Sequence, residues 1–118
     1  MGQDNRHILL RLMSVLEDRK QNPSEKSYTA SLFAGGIDKI GEKILEEAQE
    51  VIEAAAENDS EAHDHLVHEA ADLIFHLLVM LGYKSIKWEE VEGELGRRFG
   101  ISGLEEKAAR TSPAPPKS

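Results

Sequence analysis

The sequence predicts an all-α protein. Three observations carry that expectation. Two long stretches, about 37–57 and 61–82, place apolar residues at three- and four-residue steps, the period of a helix with a buried face. Aromatic residues are only 5% of the chain, so its core must come from Leu, Ile, Val and Ala. No segment shows the two-residue alternation of a convincing strand, and no internal repeat is visible.

The elements follow in order. Residues 5–20 read as a first helix, striped by Ile8, Leu9, Leu12, Met13, Val15 and Leu16 and broken by Asn22-Pro23-Ser24. SYTASLFA, residues 27–34, reads as a short helix capped by Ser27. Gly35-Gly36 is the clearest punctuation in the chain and opens the helix of about 37–57. Its apolar face is expected at Ile37, Ile40, Gly41, Ile44, Ala48, Val51, Ile52 and Ala55. Asn58-Asp59-Ser60 turns the chain, with Asn58 or Ser60 as cap of the helix of about 61–82. Ser85 is the expected cap of a fourth helix striped by Trp88, Val91, Leu95 and Phe99 and stopped by Gly100. Ser102-Gly-Leu-Glu105 has capping-box spacing and opens a last short helix to about Arg110. The chain is expected to form one helical domain over residues 1–110, with the Pro- and Ser-rich residues 111–118 as a disordered tail.

Composition narrows the functions. A net charge of −8 argues against DNA or RNA as the main partner. The chain has no cysteine, which excludes disulfides, thiolate zinc sites and a cysteine nucleophile. The N-terminus MGQDNRH lacks the apolar core of a signal peptide, and the apolar run of the third long helix is short for a bilayer, so a cytoplasmic protein is expected.

Chemistry concentrates on the two long helices. On the first, Lys39, Lys43, Glu46, Glu47 and Glu50 form a connected strip, with Glu47 on the border between wet and buried. Cations ahead of carboxylates on a rigid element suit a polyphosphate with a divalent metal. Taken alone, the strip reads rather as a solvated face stitched by pairs from Lys43 to Glu46 and Glu47, worth a few tenths of a kcal/mol each. The second helix changes the balance. It is apolar nearly all round from Leu73 to Leu81, broken by His76, yet Glu69, Asp72 and His76 share one stripe. Acids entering a core helix are costly unless paired or metal-bound. Glu47, Glu50, Glu69 and Asp72 are therefore the candidate metal ligands. An all-oxygen set suits Mg²⁺, with Mn²⁺ as the alternative. That helix is also apolar on more sides than a few short helices can cover, so a homo-oligomer is expected, most simply a homodimer.

Other features read more plainly. His65 with Glu69, or Asp72 with His76, are one turn apart with the spacing of a transition-metal pair, but His63, His65 and His68 read as polar residues at a helix start, and His76 as a core residue or one that supports a ligand. The Glu-x-x-His pairs of a di-iron bundle are absent, which counts against an oxidase. No phosphate-binding loop or dinucleotide fingerprint is present.

Several stretches together carry a family resemblance. They are Ser27-Tyr-Thr-Ala with Leu32, Gly36 through Lys39-Ile40 and Lys43, Glu46-Glu47-x-x-Glu50-Val, Glu69-Ala-Ala-Asp72-Leu with His76-Leu-Leu-Val, and Ser102-Gly-x-x-Glu106-Lys107-Ala-x-Arg110. Over roughly residues 8–110 the chain resembles the phosphoribosyl-ATP pyrophosphohydrolases of the MazG-like all-α nucleotide pyrophosphohydrolase superfamily. The acid motifs mark the superfamily; the SYTA stretch, the lysines and the C-terminal motif narrow it. The resemblance implies a helical bundle completed by dimerisation and Mg²⁺-dependent cleavage of phosphoribosyl-ATP to phosphoribosyl-AMP and pyrophosphate in histidine biosynthesis. It implies metal ligation by Glu47, Glu50, Glu69 and Asp72, with Glu46 adjacent. Lys39 and Lys43 are then expected on the substrate phosphates, and Glu46 or Glu47 on the attacking water. Phe75 stands where a tyrosine is expected in this family, and the segment ENDSEAHDHLVH is unusually rich in histidine. Two rival readings share the acids: a housecleaning pyrophosphohydrolase of noncanonical nucleotides, and a non-enzymatic acidic helical scaffold.

Overall fold

The computed structural model describes residue 5 and residues 7–100. Four helices form among them, α1 (Ile8–Gln21), α2 (Tyr28–Ala55), α3 (Ala62–Tyr83) and α4 (Trp88–Phe99), with no strand among the described residues. The expected helix to Arg110 and the tail of 111–118 lie outside them. The chain divides into two compact units, Met1–Ile86 and Lys87–Ser118.

In the first unit α2 packs chiefly on α3, and α1 lies against both. Ser27 caps α2 as its sequence position predicts, its hydroxyl oxygen accepting from Ala30 N at 3.1 Å. Gly36 then interrupts the helix with φ 72° and ψ −163°, a region essentially closed to residues with a Cβ. The contacts on its two sides run in opposite senses along α3. Before Gly36 they ascend: Tyr28 meets His76, and Phe33 lies 3.6 Å from where a Cβ on Gly82 would stand. After Gly36 they descend: Gly41 lies beside Met80, and Glu47 meets Glu69. The expected short helix and the following long helix are thus both present, folded back on each other through Gly36. At the bend, a Cβ on Gly36 would stand 3.3 Å from the Tyr83 hydroxyl.

The core is small and aliphatic: Leu16, Leu32, Ile40, Leu78 and Val79 are fully buried. The expected buried face of α2 is only partly right. Ile40 is buried, but Ile37 and Ile52 are exposed, at 51% and 63%, and Ala54 is buried in place of Ala55; Leu45, off the expected face, is exposed at 74%. The helix is turned so that Glu47 and Glu50, both partly buried, approach α3. On α3, Val67, Ile74 and Leu77 are likewise exposed. By length and composition the whole of α3 is apolar enough to cross a membrane. The run from Leu73 to Leu81 that is too short to span is only its C-terminal half. Glu69 and Asp72 near its middle would be costly in hydrocarbon, and α3 is the helix on which α2 and α1 pack.

Two expected caps are replaced. Glu61 precedes α3 without a side-chain cap, and Asp59 instead accepts from Glu61 N at 2.9 Å. Ser85 has φ 58° and does not cap α4. Its hydroxyl accepts from Lys20 Nζ at 3.1 Å, and the same ammonium donates to the Gly82 carbonyl at 2.8 Å, tying the end of α1 to the end of α3. In the second unit, the Glu90 carboxylate accepts from Lys87 N at 2.9 Å at the start of α4. Gly100, in the left-handed region, ends α4 as expected.

Gly36→Ala should destabilise the protein by about 1–3 kcal/mol, read as a lower denaturation midpoint at fixed protein concentration. Gly93→Ala, where an added Cβ meets nothing within 4 Å, should hold or raise stability.

Candidate metal and phosphate site

The bend aligns α2 beyond Gly36 antiparallel to α3, and this sets the acids of the two helices against each other. Glu47, Glu50 and Glu69 each offer an oxygen within 4.8 Å of the others. Glu69 also groups with Asp72 and His68 at the same spacing, so the four predicted carboxylates are continuous. Glu69 is buried at 8% exposure, and Asp72 is partly buried. One oxygen each of Glu47 and Glu69 is buried with no hydrogen-bond partner. Orphaned acceptors of this kind are expensive and mark a place built for a donor or a cation.

The electrostatics agree. The Glu47 carboxyl is pushed up to about 7, first by burial and then by the charges of Glu50, Asp72 and Glu69, with a hydrogen bond to Glu69 favouring the proton further. A proton on Glu47 relieves the acid cluster, and a hard divalent cation would relieve it more. The four carboxylates offer oxygen alone, which fits Mg²⁺ or Mn²⁺, while His68 adds a ring nitrogen beside Glu69 and Asp72.

The remaining predicted residues sit around this cluster. Glu46 is exposed and pairs with Lys43 at 3.4 Å. It stands outside the groups of converging ligands. Glu46, then Tyr28, hold the Lys43 ammonium above its ordinary value, with Glu47 adding to them. The Lys39 stem lies against Gly35, where an added Cβ would come 2.5 Å from its Cδ.

Three further neighbours surround this cluster. His65, read from the sequence as a helix-start residue, bridges two acids: Nδ1 is 2.8 Å from Glu57 and Nε2 is 3.2 Å from Glu69. The hydrogen bond with Glu57 holds its imidazole above the ordinary value, and Glu69 contributes less. His68 Nε2 lies 3.3 Å from Asp72. The four-residue spacing of each histidine from its acid was the available signal. Tyr28 is the third. Its hydroxyl meets His76 Nε2 at 2.9 Å. Burial raises it above its ordinary value; Lys43 opposes this, while Glu47, Glu46 and Asp72 add to it. A phenol that senses these four groups stands at the rim of the cluster. No local spacing announces it, because Tyr28 feels Lys43, Glu46 and Glu47 only through the bend. His76, buried at 5% exposure, is the core residue expected.

Comparison with known proteins places this arrangement. The family model described as phosphoribosyl-ATP pyrophosphohydrolase matches residues 9–99. A phosphoribosyl-ATP pyrophosphatase of Geotalea daltonii is 51% identical over 106 residues, covering 90% of this chain and 97% of the relative. Proteins of the same name from Rhodopirellula baltica and Geobacter metallireducens are 49% and 50% identical. Those alignments cover 85% and 87% of this chain, and 83% and 92% of the relatives.

The raised Glu47 carboxyl makes metal-free stability depend on pH. Between 4.5 and about 7 the folded protein keeps a proton that the unfolded chain has released, so this contribution is full below that window and lost as pH rises through it. Urea denaturation in chelator should show the parent losing stability across the window relative to Glu47→Gln, which carries no titrating group there.

Proposed function

The chain belongs to the phosphoribosyl-ATP pyrophosphohydrolase family, and we propose that it hydrolyses phosphoribosyl-ATP to phosphoribosyl-AMP and pyrophosphate in histidine biosynthesis. The observation that carries this reading beyond family membership is the two buried, partnerless oxygens, one on Glu47 of α2 and one on Glu69 of α3, with the cation of Lys43 one turn before Glu47. Glu47, Glu50, Glu69 and Asp72 would hold Mg²⁺, or Mn²⁺ in its place. When bound, such a cation neutralises charge on the phosphates during cleavage. Lys43 and Lys39 hold phosphate oxygens as point charges. Glu47, whose carboxyl is pushed up to about 7, orients the water and accepts its proton as the new P–O bond forms and the anhydride P–O bond breaks. Glu46 supports this from its pair with Lys43.

The same reading makes the protein a cytoplasmic homodimer. Support for the dimer lies in the exposed apolar side chains of α2 and α3, of which Leu45 is the most open at 74%. Ile37, Gly41, Ile44 and Leu45 line an open groove on α2, and a second copy is the simplest cover for it.

Pyrophosphate release from phosphoribosyl-ATP should require Mg²⁺, and a panel of nucleoside triphosphates should be turned over far more slowly. Comparable rates on the panel would favour a housecleaning enzyme instead, and cleavage that ignores chelator would remove the metal from the mechanism. Glu50→Gln and Asp72→Asn should each lower kcat/KM about a hundredfold or more and weaken Mg²⁺ binding. Lys43→Met should leave Mg²⁺ binding intact and raise KM. Light scattering should give twice the chain mass, and Leu45→Asp should shift it toward the monomer.

A further inference from the structure

Glu69 is the acid common to both groups of converging ligands, and its two oxygens have different surroundings. Oε2 lies 3.2 Å from His65 Nε2, one turn back on α3, whereas Oε1 is buried with no hydrogen-bond partner. The second ring nitrogen of His65 is taken as well: Nδ1 lies 2.8 Å from Glu57 Oε1. A pair four residues apart is common on a helix and by itself carries little. Here the histidine is also gripped from outside its own helix. Glu57 is the residue after the C-cap of α2, and backbone bonds fix the turn that carries it. Glu57 N donates to the Ala54 carbonyl at 3.1 Å, and Ala62 N to the Asp59 carbonyl at 3.2 Å. The chain of contacts Glu57–His65–Glu69 therefore runs from the α2–α3 turn into the acid cluster. It begins at side chains 36% and 41% exposed and ends at one 11% exposed.

Charge decides what such a chain can do. Carboxylates only accept, so His65 donates in both contacts and carries a proton on each nitrogen. An unpaired imidazolium beside the cluster would repel a divalent cation. The Glu57 carboxylate offsets that charge from the opposite edge of the ring, and leaves His65 to act on Glu69 through its hydrogen bond. Glu69 needs such a hold. Its carboxylate ends a flexible side chain, and the like charges of Glu47 and Glu50, with oxygens within 4.8 Å, repel it. The bond from Nε2 opposes that repulsion at one oxygen and leaves the other for a cation.

We propose that His65, anchored by Glu57, is a positioning residue for Glu69: it holds Oε2 by a hydrogen bond and so presents the buried Oε1 to a divalent cation. This rests on the reading of Glu69 as a metal ligand.

Mg²⁺ titrated into the full chain without substrate reads affinity rather than turnover. His65→Leu should weaken Mg²⁺ binding about tenfold or more. His65→Gln, whose amide can donate to an acid one turn on, should recover most of that loss. His63→Leu, which removes an imidazole facing the exposed Asp64, should bind Mg²⁺ as the parent does. Glu57→Ala should weaken binding less than His65→Leu, and should add nothing in the His65→Leu background. Denaturation midpoints in chelator separate positioning from folding. A His65→Leu chain that loses stability yet binds Mg²⁺ like the parent overturns the proposal, as do equal losses in the Leu and Gln variants. With phosphoribosyl-ATP, the kcat of His65→Leu should return toward that of the parent as Mg²⁺ is raised; a loss that saturating Mg²⁺ leaves in place overturns it too. Should the parent bind no Mg²⁺, the metal reading falls. Nitrogen-15 spectra then still decide whether the histidine holds Glu69: Glu69→Gln should move the His65 Nε2 signal, and a signal blind to it shows that the bond is absent.

Discussion

A single backbone reversal at Gly36 is the constraint on which the site depends. Tyr28 and Glu47 are nineteen residues apart on α2, about 28 Å along a straight helix. Their partners on α3, His76 and Glu69, are seven residues apart, about 10 Å. Both contacts form because the chain doubles back at a residue with φ 72°. The bend sets the Tyr28 turn against His76 and gives the long arm of α2 the antiparallel course that brings Glu47 and Glu50 to Glu69. Tyr83, at the end of α3, closes the space around it.

Acids are gathered at a visible cost. Glu47 is driven toward neutrality, and one oxygen each of Glu47 and Glu69 goes without a partner. Histidines on α3 offset part of this. His65 lies between Glu57 at the close of the α2 segment and Glu69, and His68 lies against Asp72. The histidine-rich turn therefore acts on the carboxylates themselves. It occupies one oxygen of Glu69 and leaves the other, buried and partnerless, with the cluster. A frustrated arrangement of this kind is a common signature of function, because stability alone would select an apolar pair at the same positions.

The apolar residues divide along the same line. α2 turns its acids toward α3, so isoleucines and a leucine on its other side are left open. The polar site and the uncovered apolar surface are two consequences of one helix rotation.

Much was legible in the sequence. Helical periodicity located all four described helices, Ser27 and Gly100 marked their termini correctly, and the two acid motifs identified the residues that converge. These are local properties, set by side-chain chemistry and by spacing along one helix. Rotation of α2 about its axis was not legible, because its acids and isoleucines offer two nearly equal faces and only packing on α3 chooses between them. Ser85 failed as a cap for a similar reason: its hydroxyl went to Lys20, which is sixty-five residues distant. Tyr28 and His65 belong to the site through contacts across the bend and across the α2–α3 turn. The sequence by itself determined which groups could hold a cation and a phosphate. Tertiary structure decided which of them meet, since that depends on the direction in which the chain leaves Gly36.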